Sequence, residues 1–250
     1  MMKCKSLLVL LTVVSATTCA VAAEVDLDYS VDFFDKYVWR GQELGHMGVL
    51  QPGATIGKNG FSANVWGNVP VTSNDPAGRG WNVNELDLTL DYSGTAGITN
   101  YSAGWILYTF PTPASATTIP TTQELYAAFD WDVFLSPAIA FYYDVKEVHG
   151  WYINLGSGYS FDLSEEVALD LGAALGWGDS SYNNAYWTAG TGSGFNDLAL
   201  SAGLPTALGP VTVTPSLSYI TLVDGSVRSN NGFSGKSEYW VLGIGVSQEF

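Results

Sequence analysis

Apolar and polar residues alternate along most of this chain with a period of two. Val25, Leu27, Tyr29, Val31 and Phe33 interleave with Asp26, Asp28, Ser30 and Asp32. Leu86, Leu88, Leu90 and Tyr92 interleave with Glu85, Asp87, Thr89 and Asp91, and Leu125, Ala127, Phe129 and Trp131 with Glu124, Tyr126, Ala128 and Asp130. Trp151, Ile153, Leu155, Tyr159 and Phe161 oppose Tyr152, Asn154, Gly156, Gly158 and Ser160, while Val167, Leu169 and Leu171 oppose Ala168, Asp170 and Gly172. Side chains of a strand point alternately to its two faces, whereas a helix would scatter these sets around its axis. The pattern predicts about twelve strands. They fall near 25–40, 49–57, 61–72, 83–92, 98–110, 122–133, 137–145, 151–161, 167–177, 194–204, 210–222 and 237–250.

The connections between them alternate too. The links 58–60, 93–97, 134–136, 162–166 and 205–209 are tight, whereas 41–48, 73–82, 111–121, 178–193 and 223–236 are long, with 146–150 the short exception. Sorting by parity is expected of a transmembrane antiparallel up-and-down β-barrel, which has short turns at one end, long loops at the other and both termini at the turn end. A carboxylate in hydrocarbon is expensive, so the Asp, Glu, Gly and Ser face is expected to line the interior and the apolar face to meet lipid. Trp240, Leu242, Ile244, Val246 and Phe250 share the apolar side of the last stretch, against Gly243, Gly245, Ser247 and Glu249. This stretch resembles the closing strand of bacterial outer-membrane barrels. The resemblance implies that these residues are the signal read by the barrel-assembly machinery; Gln248 departs from the apolar residue usual at its place.

Composition agrees with strands and turns: 28 Gly, 9 Trp and 14 Tyr stand beside 3 Met. Lys3 and Lys5 precede an apolar run, and Ala20-Val-Ala-Ala23 supplies small residues for cleavage, as in a secretory signal peptide. Residues 1–23 are therefore expected to be the signal peptide and 24–250 the barrel domain. Cleavage would remove both cysteines, Cys4 and Cys19, leaving neither disulfide nor Cys metal site. The formal net charge of −15 argues against nucleic acid as a partner.

A second resemblance runs through the first two thirds of the chain. Tyr37-Val-Trp-Arg-Gly41, Gln51-Pro52, Gly60-Phe61, Val65-Trp66 with Asn68, Tyr108 before Phe110-Pro111, Glu124-Leu-Tyr126 and Tyr142-Tyr-Asp144 occur in an order similar to that in the TorF-type outer-membrane porins. The resemblance covers roughly residues 30–160. It implies a passive outer-membrane channel and brings no catalytic site with it.

The lumen of such a barrel is narrow, because width grows with strand number. Passage then depends on inward side chains. Parity places Asp28, Asp32, Lys36, Arg40, Glu85, Asp87, Glu124, Asp130, Asp144, Asp170 and Asp197 inward, with Lys146 at a strand edge. These are the candidate pore-lining residues: an acidic conduit, in which Lys36, Arg40 and Lys146 oppose carboxylates at a constriction. Rings of charge set ion preference, so the expected function is porin-like diffusion of small hydrophilic solutes across the bacterial outer membrane, weakly favouring cations. A salt-bridged plug that only stabilises a closed barrel is the plainer reading of the same residues. A phospholipase-like enzyme is the alternative. It would need a Ser and a His in reach of each other; His46 and His149 lie in expected loops and no serine motif adjoins either, so no enzyme is expected. A receptor or adhesin using loops 178–193 and 223–236 is the third class. The loop Asp179-Ser-Ser-Tyr-Asn-Asn184 could hold a cation through oxygen ligands, but reads more simply as an exposed polar loop; neither metal nor cofactor is expected.

Overall fold

The computed structural model describes residues 25–72, 80–111, 120–187, 191–231 and 235–250. The expected signal peptide, and most of the expected loops 73–82 and 111–121, lie outside these residues. In chain order the elements are β1 (Asp26–Phe34), β2 (Tyr37–Trp39), β3 (Gln42–Gly45), β4 (Val49–Lys58), β5 (Phe61–Pro70), β6 (Glu85–Ala96), β7 (Thr99–Thr109) and β8 (Thr122–Trp131). They continue with β9 (Ala138–Asp144), β10 (Trp151–Asp162), β11 (Ala168–Gly178), α1 (Ser180–Tyr186), β12 (Gly194–Gly203), β13 (Thr206–Leu208), β14 (Val211–Leu222), α2 (Gly225–Ser229) and β15 (Glu238–Glu249). Twelve antiparallel strands close a barrel. β2 and β3 pair only with each other, and β13 continues along β14 where β12 has ended. The ring shuts where β1 meets β15, from Asp28 opposite Glu249 to Phe34 opposite Gly243.

Both faces follow the alternation. Tyr29, Val31, Leu86, Leu90, Leu125, Leu155, Leu171, Leu200, Ile244 and Val246 are exposed on the outside. Apolar area in water is unfavourable by about 25 cal/mol per Å², so a belt of this extent is stable against hydrocarbon. Aromatic pairs border it at both ends. Phe61 and Tyr92 (ring centroids 4.7 Å apart), Tyr159 and Phe161 (4.7 Å), and Tyr29 and Phe250 (5.9 Å) lie toward the turns. Tyr143 and Trp151 (4.8 Å) and Tyr219 and Trp240 (4.9 Å) lie toward the loops. Amphipathic rings favour membrane–water interfaces, and two girdles mark where they fall.

Strand tilt decides which inward residues meet. One hydrogen-bonding row runs Asp26, Gly57, Ser62, Asp91, Gly104, Tyr126, Tyr142, Tyr152, Gly178. It starts at the turn end of β1 and finishes at the loop end of β11, as the shear of a closed barrel requires. Acids therefore occupy its lower part and tyrosines its upper part. Glycines on neighbouring strands seat the rings: a Cβ on Gly104 would lie 2.7 Å from Tyr126 Cε1, and one on Gly176 2.2 Å from the Tyr152 hydroxyl.

Three segments fold otherwise than the alternation predicts. The first strand, expected to reach residue 40, ends at Phe34. Asp35 finishes the seam, its N–H donating to the Leu242 carbonyl at 2.9 Å and its Oδ1 accepting from Leu242 N at 2.9 Å. The chain then turns into the lumen as the β2–β3 hairpin, so residues 41–45 line the inside rather than an external loop. Arg40 (φ 46°) and Gly41 (φ 80°) form its tip, the paired positive φ of a two-residue hairpin turn. The stretch 179–184, expected to be an exposed polar loop, is instead the capped start of α1, with Asp179 Oδ1 accepting from Tyr182 N at 2.8 Å. Tyr182 and Asn183 are buried rather than exposed, and the Asn183 side chain bonds Gly178 O, Gly192 O and Asn196 Nδ2. Residues 223–231 likewise fold inward, burying Val227 of α2 against Leu222 and Trp187.

Candidate functional site

The site is the level at which the hairpin tip meets the wall. β8 presents Glu124 inward between Tyr108 of β7 and the β9 residues Tyr142 and Asp144. The Arg40 guanidinium reaches it with two hydrogen bonds, Nη1 to Oε1 and Nη2 to Oε2, each 2.8 Å. The Tyr108 hydroxyl donates to the same Oε2 at 2.8 Å. Four rings surround the guanidinium carbon: Tyr152 at 4.4 Å, Tyr142 and Trp39 at 4.5 Å, and Tyr182 at 5.8 Å from their centroids. Side-chain exposure is 9% for Arg40 and 2% for Glu124. Burial works most strongly against the Arg40 charge, but the Glu124 carboxylate and its hydrogen bonds outweigh it and hold the pKa above the ordinary arginine value. Forked, charge-assisted pairs of this kind are the strong ones among hydrogen bonds, and guanidinium also stacks on aromatic faces.

The opposite side of the tip is equally close. A Cβ on Gly41 would stand 2.7 Å from Asp197 Cβ and 2.8 Å from Leu222 Cδ2. Arg40–Gly41 thus spans the lumen from β12 and β14 to β8. The body of the hairpin is packed as well. Val38 clusters with Ile220, Tyr239 and Val241, Gln42 is buried, and Glu43 Oε2 lies 4.0 Å from Lys236 Nζ.

The other expected pore residues divide. Asp28 and Asp32 are half-buried on the inner face of β1. Asp130 accepts from Asn100 Nδ2 at 2.8 Å, Asp197 from the Tyr152 hydroxyl at 3.0 Å, and Asp170 is buried on β11. Glu85 is buried at the start of β6, and Asp87 Oδ1 is buried with no hydrogen-bond partner among the described residues. Asp144 is a loop cap, taking Thr122 Oγ1 at 2.5 Å and the backbone N–H groups of Lys146, Glu147 and Val148. The bases are placed differently from their expected roles. Lys36 bonds Asp35 and the Trp240 carbonyl at the seam, where β15 continues past the end of β1. Lys146 sits at the rim, its Nζ 2.5 Å from Thr121 O. Of the three expected bases, Arg40 alone faces a carboxylate across the lumen, and a hairpin rather than strand parity puts it there. Trp240, Leu242, Ile244, Val246 and Phe250, the residues expected to form an assembly signal, all face outward.

The tyrosine cage escaped the sequence reading. Its one local sign is that Tyr126 and Tyr152 are large rings on faces otherwise small or polar, which demands a glycine seat across the strand.

The barrel matches solved porins. The NanC porin superposes with a TM-score of 0.50 at 14% identity, covering 90% of this chain and 99% of its own. The KdgM porin, also solved with disordered oligogalacturonate, superposes with a TM-score of 0.51 at 11% identity over 90% and 99%. These likenesses establish the fold. No protein-family model matches the chain, and no curated protein matches it in sequence.

Proposed function

We propose that this chain is a porin-like channel of the bacterial outer membrane, passing small hydrophilic solutes by diffusion and shut at rest by the β2–β3 hairpin. The Arg40–Gly41 tip carries the reading. It spans the lumen between Glu124 and the Asp197–Leu222 wall, yet it belongs to a segment paired with no wall strand. A barrel built only for stability could fill its lumen from the wall, whereas a separate hairpin can be withdrawn. The apolar belt, the girdles and the likeness to porins support the outer-membrane setting, with assembly through β15. The motif order from Tyr37 to Asp144 supports kinship with the TorF-type porins.

Solute class follows from wall charge. Below the tip the wall carries Asp28, Asp32, Asp91, Asp130 and Asp170, Asp87 lies level with the tip opposite Tyr108, and the bases expected to offset them are at the tip, the seam and the rim. A galacturonate oligomer carries one carboxylate per sugar, so the KdgM ligand suits an interior of the other sign. The channel proposed here favours cations and neutral solutes. The test is conductance in a planar bilayer of the refolded protein, beside a variant with residues 36–46 replaced by a short Gly-Ser turn. Wild type is expected to be mostly closed and the variant steadily open; a folded, inserted variant that does not conduct refutes the channel.

A further inference from the structure

Apart from Trp39 of β2 and Tyr182 of α1, the groups that hold Arg40 lie on the wall. Glu124, Tyr108, Tyr142 and Tyr152 come from four adjacent strands, β8, β7, β9 and β10. When the hairpin withdraws, this quartet stays behind as an inward-facing carboxylate, one oxygen oriented by the Tyr108 hydroxyl at 2.8 Å, flanked by two ring faces. A carboxylate set between aromatic faces in a narrow lumen attracts a cation. Its shape selects which. Two oxygens taking parallel N–H bonds fit a planar fork, and ring faces at 4.4 and 4.5 Å fit a flat, weakly hydrated ion. An ammonium is compact and strongly hydrated and would lose the second parallel bond.

We infer that the wall quartet Glu124, Tyr108, Tyr142 and Tyr152 is a binding site for solutes bearing a guanidinium group, which Arg40 occupies in the closed channel as a tethered mimic. Arg40 reaches the cage from the lumen, so a solute's remaining atoms would project along the conduit. Solute and hairpin tip then compete for one carboxylate, and a bound guanidinium compound holds the hairpin out. The site itself follows from the geometry, while the opening effect rests on the channel reading.

The experiment is calorimetric titration of methylguanidinium and methylammonium into detergent-folded Arg40→Ala, with Arg40→Gln as the second variant and heat-modifiable migration confirming each fold. One methylguanidinium per chain is expected. Binding should be at least about tenfold weaker for methylammonium, and weakened by at least about tenfold when Glu124→Gln is added. Equal binding of the two ions, binding indifferent to Glu124→Gln, or no binding to either folded variant overturns the site. Wild type gives an independent reading: methylguanidinium should bind at least about tenfold more weakly than to Arg40→Ala, because Arg40 occupies the cage, and equal affinity overturns the mimicry. Bilayer conductance run in parallel separates the two ideas. Selective, Glu124-dependent binding to a variant that never conducts supports the site and refutes the channel.

Discussion

Glu124→Gln is the sharpest test of the hairpin as a gate. It leaves the shape of the side chain almost unchanged but removes the charge and one of the two acceptors facing Arg40. Breaking a buried ion pair by removing one partner costs about 3–5 kcal/mol. Part of that is recovered. The glutamine carbonyl can still accept one guanidinium bond, and the contacts to Trp39, Tyr142 and Tyr152 persist, so the lower end, about 3 kcal/mol, is the appropriate figure. At about 1.4 kcal/mol per tenfold, the ratio of closed to open should fall by about a hundredfold. Single-channel open fraction measures this directly, with heat-modifiable migration showing that the barrel remains folded. Because the pair is buried, the difference should persist in concentrated salt, unlike an effect of exposed charge. Replacing both partners with apolar residues, Arg40→Met with Glu124→Leu, leaves no unpaired charge and should restore closure toward wild type. An open fraction unmoved by Glu124→Gln, or a double variant more open than the single one, would refute the latch.

Gly41→Ala should also open the channel, by about tenfold or more. It forces a left-handed backbone that costs about 1–2 kcal/mol and sets a Cβ 2.7 Å from that of Asp197; closure equal to wild type would show that the tip is not confined. Ile244→Asp with Val246→Asp puts two carboxylates on the lipid face of the closing strand and should abolish the heat-modifiable species in the membrane fraction, since charge near the midplane of such barrels costs up to about 2–4 kcal/mol. Normal insertion would reverse the assignment of faces. In the open channel, reversal potentials across a KCl gradient should favour potassium in dilute salt, where the Debye length is about 10 Å, and lose most of that bias near 1 M, where it is about 3 Å. Asp32→Asn with Asp87→Asn should weaken the preference further, and anion selectivity in the unsubstituted lumen would refute the acidic conduit.

The wall was legible from the sequence because each strand separates two solvents, and lipid against water writes a period of two into residues such as Leu86, Asp87, Leu88 and Thr89. The gate was hidden by the same rule. Tyr37, Val38, Trp39 and Arg40 continue the alternation of β1 without a break, since β2 is also a strand with one side turned to an apolar cluster, here Ile220, Tyr239 and Val241. Only backbone pairing distinguishes them: Phe34 opposes Gly243 across the seam, while Trp39 opposes Gln42. The cage was hidden for a different reason. Arg40 and Glu124 stand 84 positions apart, and Tyr142 and Tyr152 join them because tilted strands carry one hydrogen-bonding row from Asp26 at the turn end to Gly178 at the loop end. Parity gives the face of a residue but not its height, and height needs register and tilt together. Arg40-Gly41 carries the positive φ pair also found at Asn59-Gly60, the turn between β4 and β5. A positive-φ pair says that the chain reverses. Which side of the wall it reverses on is decided by what its neighbours can satisfy. Asn59 and Gly60 adjoin exposed Lys58 and Phe61 at the turn end, whereas a hairpin tipped with Arg40 needs the Glu124 carboxylate and the rings of the lumen.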